Sequence, residues 1–463
     1  MLDKVFKAYD VRATVPDPLN ESIARRIGYG AGRLLLEEAE AAGRTGEADR
    51  RIVVGRDMRP HSPSLVEALK AGLREAGADV VDVGLVDTPF IYFAVNHLDA
   101  AGGIQTTASH NPIQYNGFKI SRHEAKPVGM GSGLDRIQEY ARAHDSEGEL
   151  VGREEDLNLW TAYKAHVHQF LHPDLLSGAK TIKVVVDASN GMAGTCMPPL
   201  FDDVPGLDIT RINYENDKGV FVHEPNPLVE ANLQQVRDAV VELKADVGIC
   251  FDGDADRCMV VDEAGTPVGC DLLTAWLAKR FLAEEAGASI VFDLRSSHSV
   301  SELIKEHGGV PHRSRVGHVF MKGKARETNA VFGGELSGHF YFRDNYFADS
   351  GVMAFAAVVS SLIESGQSMS DEIKPARRYV QSGEINFETE DKQAAMDALV
   401  AAYPDAKTDR LDGVTVDLGD WWCNVRPSNT EPLLRLNLEG PDEKTVEARV
   451  AEVAPMLGER VEE

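Results

Sequence analysis

Three carboxylates at alternate positions, in Phe251-Asp252-Gly253-Asp254-Ala255-Asp256-Arg257, repel one another unless a cation sits among them. Donors that are all oxygen select a hard metal, and Mg²⁺ suits them. An EF-hand would use Asp252, Asp254, Asp256 and Glu263, but it needs a glycine where Arg257 stands and helices on both sides. A surface turn also collects Asp and Gly. Here the flanks, Val247-Gly248-Ile249-Cys250 and Met259-Val260-Val261, are apolar, so the expectation is a buried loop between two strands.

Other stretches carry reactive groups without deciding their use. Thr106-Thr107-Ala108-Ser109-His110-Asn111-Pro112, followed by Tyr115-Asn116-Gly117-Phe118-Lys119, presents a hydroxyl beside an imidazole. Ser109 needs a base or an electropositive, metal-assisted setting to act as a nucleophile, and the same residues also make a structural turn. Arg426-Pro427-Ser428-Asn429-Thr430-Glu431-Pro432 offers a guanidinium, hydroxyls and an amide, a set that suits phosphate or a capped turn between strands. Gly333-Gly334-Glu335-Leu336-Ser337-Gly338-His339 reads as a turn whose carboxylate, hydroxyl and imidazole match the vicinal hydroxyls of a sugar. Glu335 could equally be a satisfied structural acid and His339 a core histidine. Arg315-Val316-Gly317-His318 and Lys322 are weaker candidates.

The elements that must position these groups follow an α/β rhythm. Ile52-Val53-Val54 reads as a strand, Ser62 as the N-cap of a helix with Pro63 in its first turn and Leu65, Leu69 and Leu73 on one face, and Val80 to Val83 as a second strand. The layout recurs at Val184-Val185-Val186-Asp187 and at Ile290-Val291-Phe292-Asp293. Beyond about residue 378 the pattern becomes α+β: a strand at 384–387, helices over 392–403 and 443–457, and strands over 414–436. The expected fold class is α/β, with three successive mixed-sheet domains of similar plan over 1–150, 151–262 and 263–376, and a smaller α+β domain over 377–463.

Composition narrows the classes of function. The 463 residues carry 48 basic and 74 acidic side chains, a net charge of −26, which disfavours nucleic acid and anionic membranes as partners. An anionic substrate must therefore meet a local basic pocket. Five scattered cysteines with no C-x-x-C pair fit a reducing compartment, and Met1-Leu2-Asp3-Lys4-Val5 opens without the pattern of a signal peptide, so a cytoplasmic protein is expected. The most apolar run, residues 351–363, is too short to span a membrane and reads as a buried helix.

Together these motifs resemble, in order and spacing over essentially the whole chain, the α-D-phosphohexomutase superfamily, with the nearest likeness to bacterial phosphomannomutase and phosphomannomutase/phosphoglucomutase. Phe6-Lys7-Ala8-Tyr9-Asp10-Val11-Arg12 is similar to that family's opening motif, 107–112 to its phosphoserine loop, 252–257 to its metal loop, 335–339 to its sugar loop and 426–430 to its phosphate loop. The resemblance implies a heart-shaped molecule of four domains with a central cleft. It implies Ser109 as a phosphoserine that joins Asp252, Asp254 and Asp256 in holding Mg²⁺. His110 would position it, Arg257 would stabilise the moving phosphoryl group, and Lys119 and His339 would be the candidates for general acid or base, in either assignment. Glu335 and Ser337 would hold sugar hydroxyls 3 and 4, and Arg426, Ser428, Asn429 and Thr430 the phosphate that is not transferred. Tyr9, Arg12, Arg295 and His318 complete the implied substrate-binding set.

The implied reaction interconverts mannose 1-phosphate and mannose 6-phosphate, with glucose phosphates as further substrates, through a hexose 1,6-bisphosphate. A monomer or weak homodimer is expected, with hexose phosphates as its small-molecule partners. Some positions depart from the family pattern. Ala13 and Ala255 stand where Gly is usual, and Arg295 replaces the Lys of dual-specificity members, keeping charge but not geometry. Leu336 speaks against the phosphoglucosamine mutase branch, which tends to Gln there, and Trp421-Trp422 reads as packing. The alternatives are a phosphoglucomutase, a phosphoglucosamine mutase, a phosphosugar-binding protein on the same scaffold, or a Mg²⁺-dependent phosphatase with Asp252 as nucleophile.

Overall fold

Short apolar runs rich in Val and Ile become buried parallel strands, and the amphipathic segments between them become the covering helices. The computed structural model describes residues 2–145, 147–428 and 433–461. By its contacts the chain forms two units, Met1–Val268 with Ser337–Ser370, and Gly269–Leu336 with Asp371–Glu463.

The first unit holds two mixed sheets. In one, the strands Arg51–Arg56, Asp79–Leu85, Gly102–Thr106 and Glu154–Asp156 run parallel, while Tyr115–Arg122 and Val11–Thr14 add antiparallel at the edge. In the other, Ile182–Asp187, Leu207–Ile212 and Val247–Phe251 run parallel, and Cys258–Val261 and Pro267–Val268 continue antiparallel. The helix Gly351–Ser365 is buried from Gly351 through Ile363 and is N-capped by the Ser350 side chain, as its apolar sequence predicts. No single helix among the described residues is long and apolar enough to cross a membrane.

In the second unit Ser289–Asp293 pairs in parallel with Val310–Ser314 and Phe332–Gly334. A six-stranded antiparallel sheet from Val380–Glu388 to Glu459–Val461 packs on the helices Lys392–Ala402 and Glu443–Leu457. Trp421 and Trp422 are buried there, the first against Tyr403 and the second donating its indole N–H to Glu439 at 2.7 Å. Their expected packing role holds.

Three local expectations change. Ser62 is not an N-cap; it begins the helix Ser62–Glu75, and its buried hydroxyl donates to Asp57 at 2.5 Å and accepts from Asn116 at 2.9 Å. A better acceptor within reach, the Asp57 carboxylate, outcompetes the helix terminus for it. Gly333 and Gly334 end a strand instead of forming a turn. Arg426 lies on the strand Trp422–Pro427, directly across from Arg435, and not in the loop that follows.

Candidate active site

Within the first unit, two loops meet at carboxyl ends of the two sheets. The strand Gly102–Thr106 delivers Ser109, and the strand Val247–Phe251 delivers the acidic loop, the usual place for ligand groups on parallel strands. Their approach is close enough that a Cβ at Gly253 would collide with the carbonyl of Ser109. Ser109 takes a left-handed φ of 50°, its hydroxyl donates to Asp252 Oδ2 at 2.9 Å and its Oγ is 3.2 Å from His110 Nδ1.

The loop around Ser109 is held by a residue that sequence reasoning passed over. Arg59 is buried, and all its guanidinium donors are engaged: Nε with Asp57 at 3.2 Å, Nη1 with the carbonyls of Pro112 and Tyr115 at 2.7 and 3.0 Å, and Nη2 with those of Ser109 and Asn111 at 2.8 and 2.6 Å. Its only sequence signal is the charged Arg56-Asp57-Met58-Arg59 at the carboxyl end of a buried strand.

Asp252, Asp254 and Asp256 are buried and cluster closely enough to share one cation. Burial, then repulsion from Asp256 and Asp254, pushes the Asp252 carboxyl well above the usual range, the mutual repulsion that their spacing predicts. Burial would also raise Asp256, but Lys119 and the contact with His339 outweigh it and hold that carboxyl low. Asp254 Oδ1 is buried with no hydrogen-bond partner among the described residues. An orphaned carboxylate oxygen in an all-oxygen set fits a hard divalent cation.

Lys119, on the strand Tyr115–Arg122, donates to Asp254 Oδ2 at 2.7 Å and to Asp256 Oδ2 at 2.5 Å. Of the two roles left open for it, general acid or base, that of a base would require a cationic pocket and a lowered pKa. Instead, burial alone would lower it, while Asp254 and Asp256 override that and raise it well above the ordinary lysine value. With these neighbours Lys119 keeps its proton and is not a base. His110 is driven the other way, by burial and then by Arg257, Arg12 and Lys119, so it is a neutral imidazole.

Arg257 donates its backbone N–H to Asp252 Oδ1 at 3.2 Å, and its Nε lies 3.8 Å from Asp252 Oδ2. An isolated bridge pairs it with His339, so the chain returning at Ser337 is stitched to the acidic loop. His339 Nε2 is 3.4 Å from Asp256 Oδ1 and 3.8 Å from Asp349 Oδ2, and its Nδ1 is 3.0 Å from the Ser337 hydroxyl. Asp349 was not a candidate from sequence; nothing in its local run marks it. Arg12, on the strand Val11–Thr14, lies 3.7 Å from Asp10, and Tyr9 just precedes that strand.

The second unit gathers the remaining candidates. Arg295 forks onto Asp293 at 3.0 and 3.1 Å and approaches Glu335 and Glu384, each at 3.7 Å. Asp293 in turn accepts the Leu336 N–H at 2.6 Å, and Glu335 accepts that of Gly317 at 3.1 Å, just before His318 opens the helix His318–Thr328. Arg426 and Arg435 share Glu384 at 3.0 and 2.9 Å. Three guanidiniums thus meet three carboxylates, Asp293, Glu335 and Glu384, and Arg426 Nε is buried without a hydrogen-bond partner among the described residues. Burial and then repulsion from Arg295 lower the Arg426 pKa, against the opposing pull of Glu384. Glu384 and Arg435 escaped sequence reasoning because only strand register brings them to Arg426. Ser428 donates its N–H to the Leu433 carbonyl at 2.8 Å, whereas Asn429 and Thr430 lie outside the described residues.

Comparison with known proteins places this arrangement. The chain matches, in order, the profiles described as phosphoglucomutase/phosphomannomutase alpha/beta/alpha domain I over residues 3–147, domain II over 162–265, domain III over 270–379 and the C-terminal domain over 384–456. It is 39% identical to the phosphohexose mutases of Xanthomonas campestris pv. campestris, over 98% of each chain. It is 36% identical to a phosphomannomutase of Vibrio cholerae, over 94% of each. Among solved structures, a phosphoglucomutase/phosphomannomutase family protein from Burkholderia thailandensis is similar with a TM-score of 0.86 and 30% identity, over 97% of this chain and 96% of that one.

Fold and relatives together define a hexose phosphate mutase, an isomerase of four domains, three with mixed α/β sheets and the last with an antiparallel sheet. The chain belongs to the phosphoglucomutase/phosphomannomutase family.

Proposed function

We propose that the chain interconverts mannose 1-phosphate and mannose 6-phosphate through a phosphoserine at Ser109. The observation that carries this reading is the Ser109 hydroxyl, 2.9 Å from Asp252 at the edge of a buried three-carboxylate cluster, on a loop immobilised by Arg59. The phosphomannomutase names of relatives such as the Vibrio cholerae protein support mannose as the sugar. The four domains take the boundaries 1–150, 151–262, 263–376 and 377–463.

The phosphoserine passes its phosphoryl group to the free hydroxyl of a hexose monophosphate, giving a 1,6-bisphosphate and a free Ser109 hydroxyl. The other phosphate then returns to Ser109, so no net phosphate is consumed. Asp252, Asp254, Asp256 and an oxygen on Ser109 would hold Mg²⁺, which when bound would supply charge neutralisation at the transferring group. Arg257 adds a guanidinium beside it. Neutral His110 orients Ser109. Lys119, protonated between two aspartates, protonates the departing serine oxygen, and His339, steadied by Asp349 and Ser337, takes the sugar hydroxyl proton. Glu335 and Ser337 hold hydroxyls 3 and 4, which mannose and glucose share, while Tyr9, Arg12, Arg295 and His318 orient the ring and its phosphate. Arg426, Ser428, Asn429 and Thr430 bind the phosphate that stays.

The test is a coupled mutase assay with mannose, glucose and glucosamine 1-phosphates in parallel, with Mg²⁺ and a trace of hexose 1,6-bisphosphate, on wild type and Ser109→Ala. Mannose 1-phosphate is expected to turn over fastest, and the variant to lose at least about a thousandfold in rate. Free phosphate in place of isomerised sugar, undiminished in Ser109→Ala, would move the nucleophile to Asp252 and make the protein a phosphatase.

A further inference from the structure

Behind the acidic loop stands a residue that none of the motifs contains. Thr88 opens the helix Thr88–His97, whose next residue is Pro89 and whose Phe90, Ile91, Phe93, Ala94 and Val95 are buried, so its first turn is rigidly seated. The Thr88 hydroxyl donates to Asp254 Oδ2 at 2.5 Å, and its backbone N–H donates to the Asp254 carbonyl at 3.2 Å. Thr88 and Asp254 are both fully buried. Lys119 donates to the same Oδ2, at 2.7 Å, while Oδ1 has no hydrogen-bond partner among the described residues. Two donors on one oxygen fix the rotation of a carboxylate and leave the lone pairs of the other available.

We propose that Thr88 is a positioning residue for the cation, holding the Asp254 carboxylate so that Oδ1 faces the shared site. Lys119 alone cannot do this, because its ammonium also binds Asp256 and sits on a flexible stem. The Thr88 hydroxyl is fixed from the opposite partner, a buried helix end, and sets the carboxylate plane before any cation arrives. Groups that orient metal ligands in this way typically contribute ten- to a hundredfold in affinity. The inference rests on the reading of Asp252, Asp254 and Asp256 as a divalent-cation site.

The experiment measures Mn²⁺ binding to the chelator-stripped full chain by the electron paramagnetic resonance of free Mn²⁺, and Mg²⁺ binding by calorimetry. It compares wild type, Thr88→Val, which removes the donor at nearly constant shape, and Thr88→Ser, which keeps it. Thr88→Val is expected to weaken both cations by on the order of tenfold, and Thr88→Ser to stay within about twofold of wild type. Thermal unfolding in chelator separates cation positioning from loss of fold, and Thr88→Ala replaces Thr88→Val if the latter does not fold. Wild-type affinity in the donor-less variant, or equal loss in Thr88→Ser, overturns the assignment of Thr88 alone. A wild type that binds neither cation overturns the cation site itself, and this inference with it.

Discussion

At the scale of residues, most of the chemistry of this chain is set by groups that the reactive side chains themselves do not advertise. Arg59 spends a whole guanidinium on four carbonyls of the Ser109 loop and on Asp57. Lysine in its place retains the charge but has at most three donors in a different geometry. Arg59→Lys is therefore expected to lower kcat by on the order of a hundredfold, the cost of misplacing a reacting group by about 1 Å, with little change in KM. Steady-state kinetics separate the two. Asp87, buried one residue before Thr88, is a different case. Burial, opposed by the Tyr163 hydroxyl at 3.1 Å, raises its carboxyl from 3.8 to about 7. Between those values the folded protein keeps a proton that the unfolded chain has released, so stability falls as pH rises, with a slope approaching about 1.4 kcal/mol per pH unit. Urea denaturation in chelator across this range should show that decline, and Asp87→Asn should flatten it.

At the scale of elements, two close approaches position the site. The helices Glu21–Ala41 and Ser62–Glu75 cross where a Cβ on Gly72 would collide with the Arg25 carbonyl, and together they cover the sheet that carries Ser109. Gly72→Ala should destabilise the chain by about 1–3 kcal/mol through overpacking, measured by chemical denaturation, and should leave KM for the sugar phosphate near wild type. Gly253→Ala meets backbone of the other loop instead, the Ser109 carbonyl. Its expected effect is on catalysis and cation affinity more than on stability, because the two loops must separate to admit the methyl group. Ala255 takes a left-handed φ of 58° in the same loop, a conformation that favours glycine.

At the scale of the whole molecule, chain order and structural units do not coincide. Residues 337–370 return to the first unit after the second has begun, bringing His339, Asp349 and the buried helix Gly351–Ser365. A fragment ending at residue 268 therefore lacks the apolar surface that this helix supplies, and should show no cooperative thermal transition by circular dichroism. Adding residues 337–370 through a flexible linker should restore one. The second unit has its own dense charge, with Arg295, Arg426 and Arg435 around Glu384 and with Asp293 and Glu335 beside Arg295, in a chain of net charge −26. Clustered guanidiniums of this kind supply directed donors for an anionic sugar phosphate even though the molecule as a whole repels one.

Sequence by itself determined the α/β plan, because apolar strands ending in polar clusters have few other ways to bury their faces. It also marked out the acidic triad, since three carboxylates at alternate positions repel one another unless a cation sits among them. The Ser109, Glu335 and Arg426 motifs were legible as candidates because each concentrates reactive groups in a few consecutive residues. Only tertiary structure decided what those groups are. Lys119 became a proton-holding cation when a neighbouring sheet set Asp254 and Asp256 against it, and Ser62 lost its capping role to Asp57. Arg59, Thr88, Asp349, Glu384 and Arg435 entered through contacts between residues 10 to 166 positions apart in the chain. Hydrogen-bond partners, burial and the electrostatic field depend on neighbours in space, and one-dimensional spacing records only those that are also neighbours along the chain.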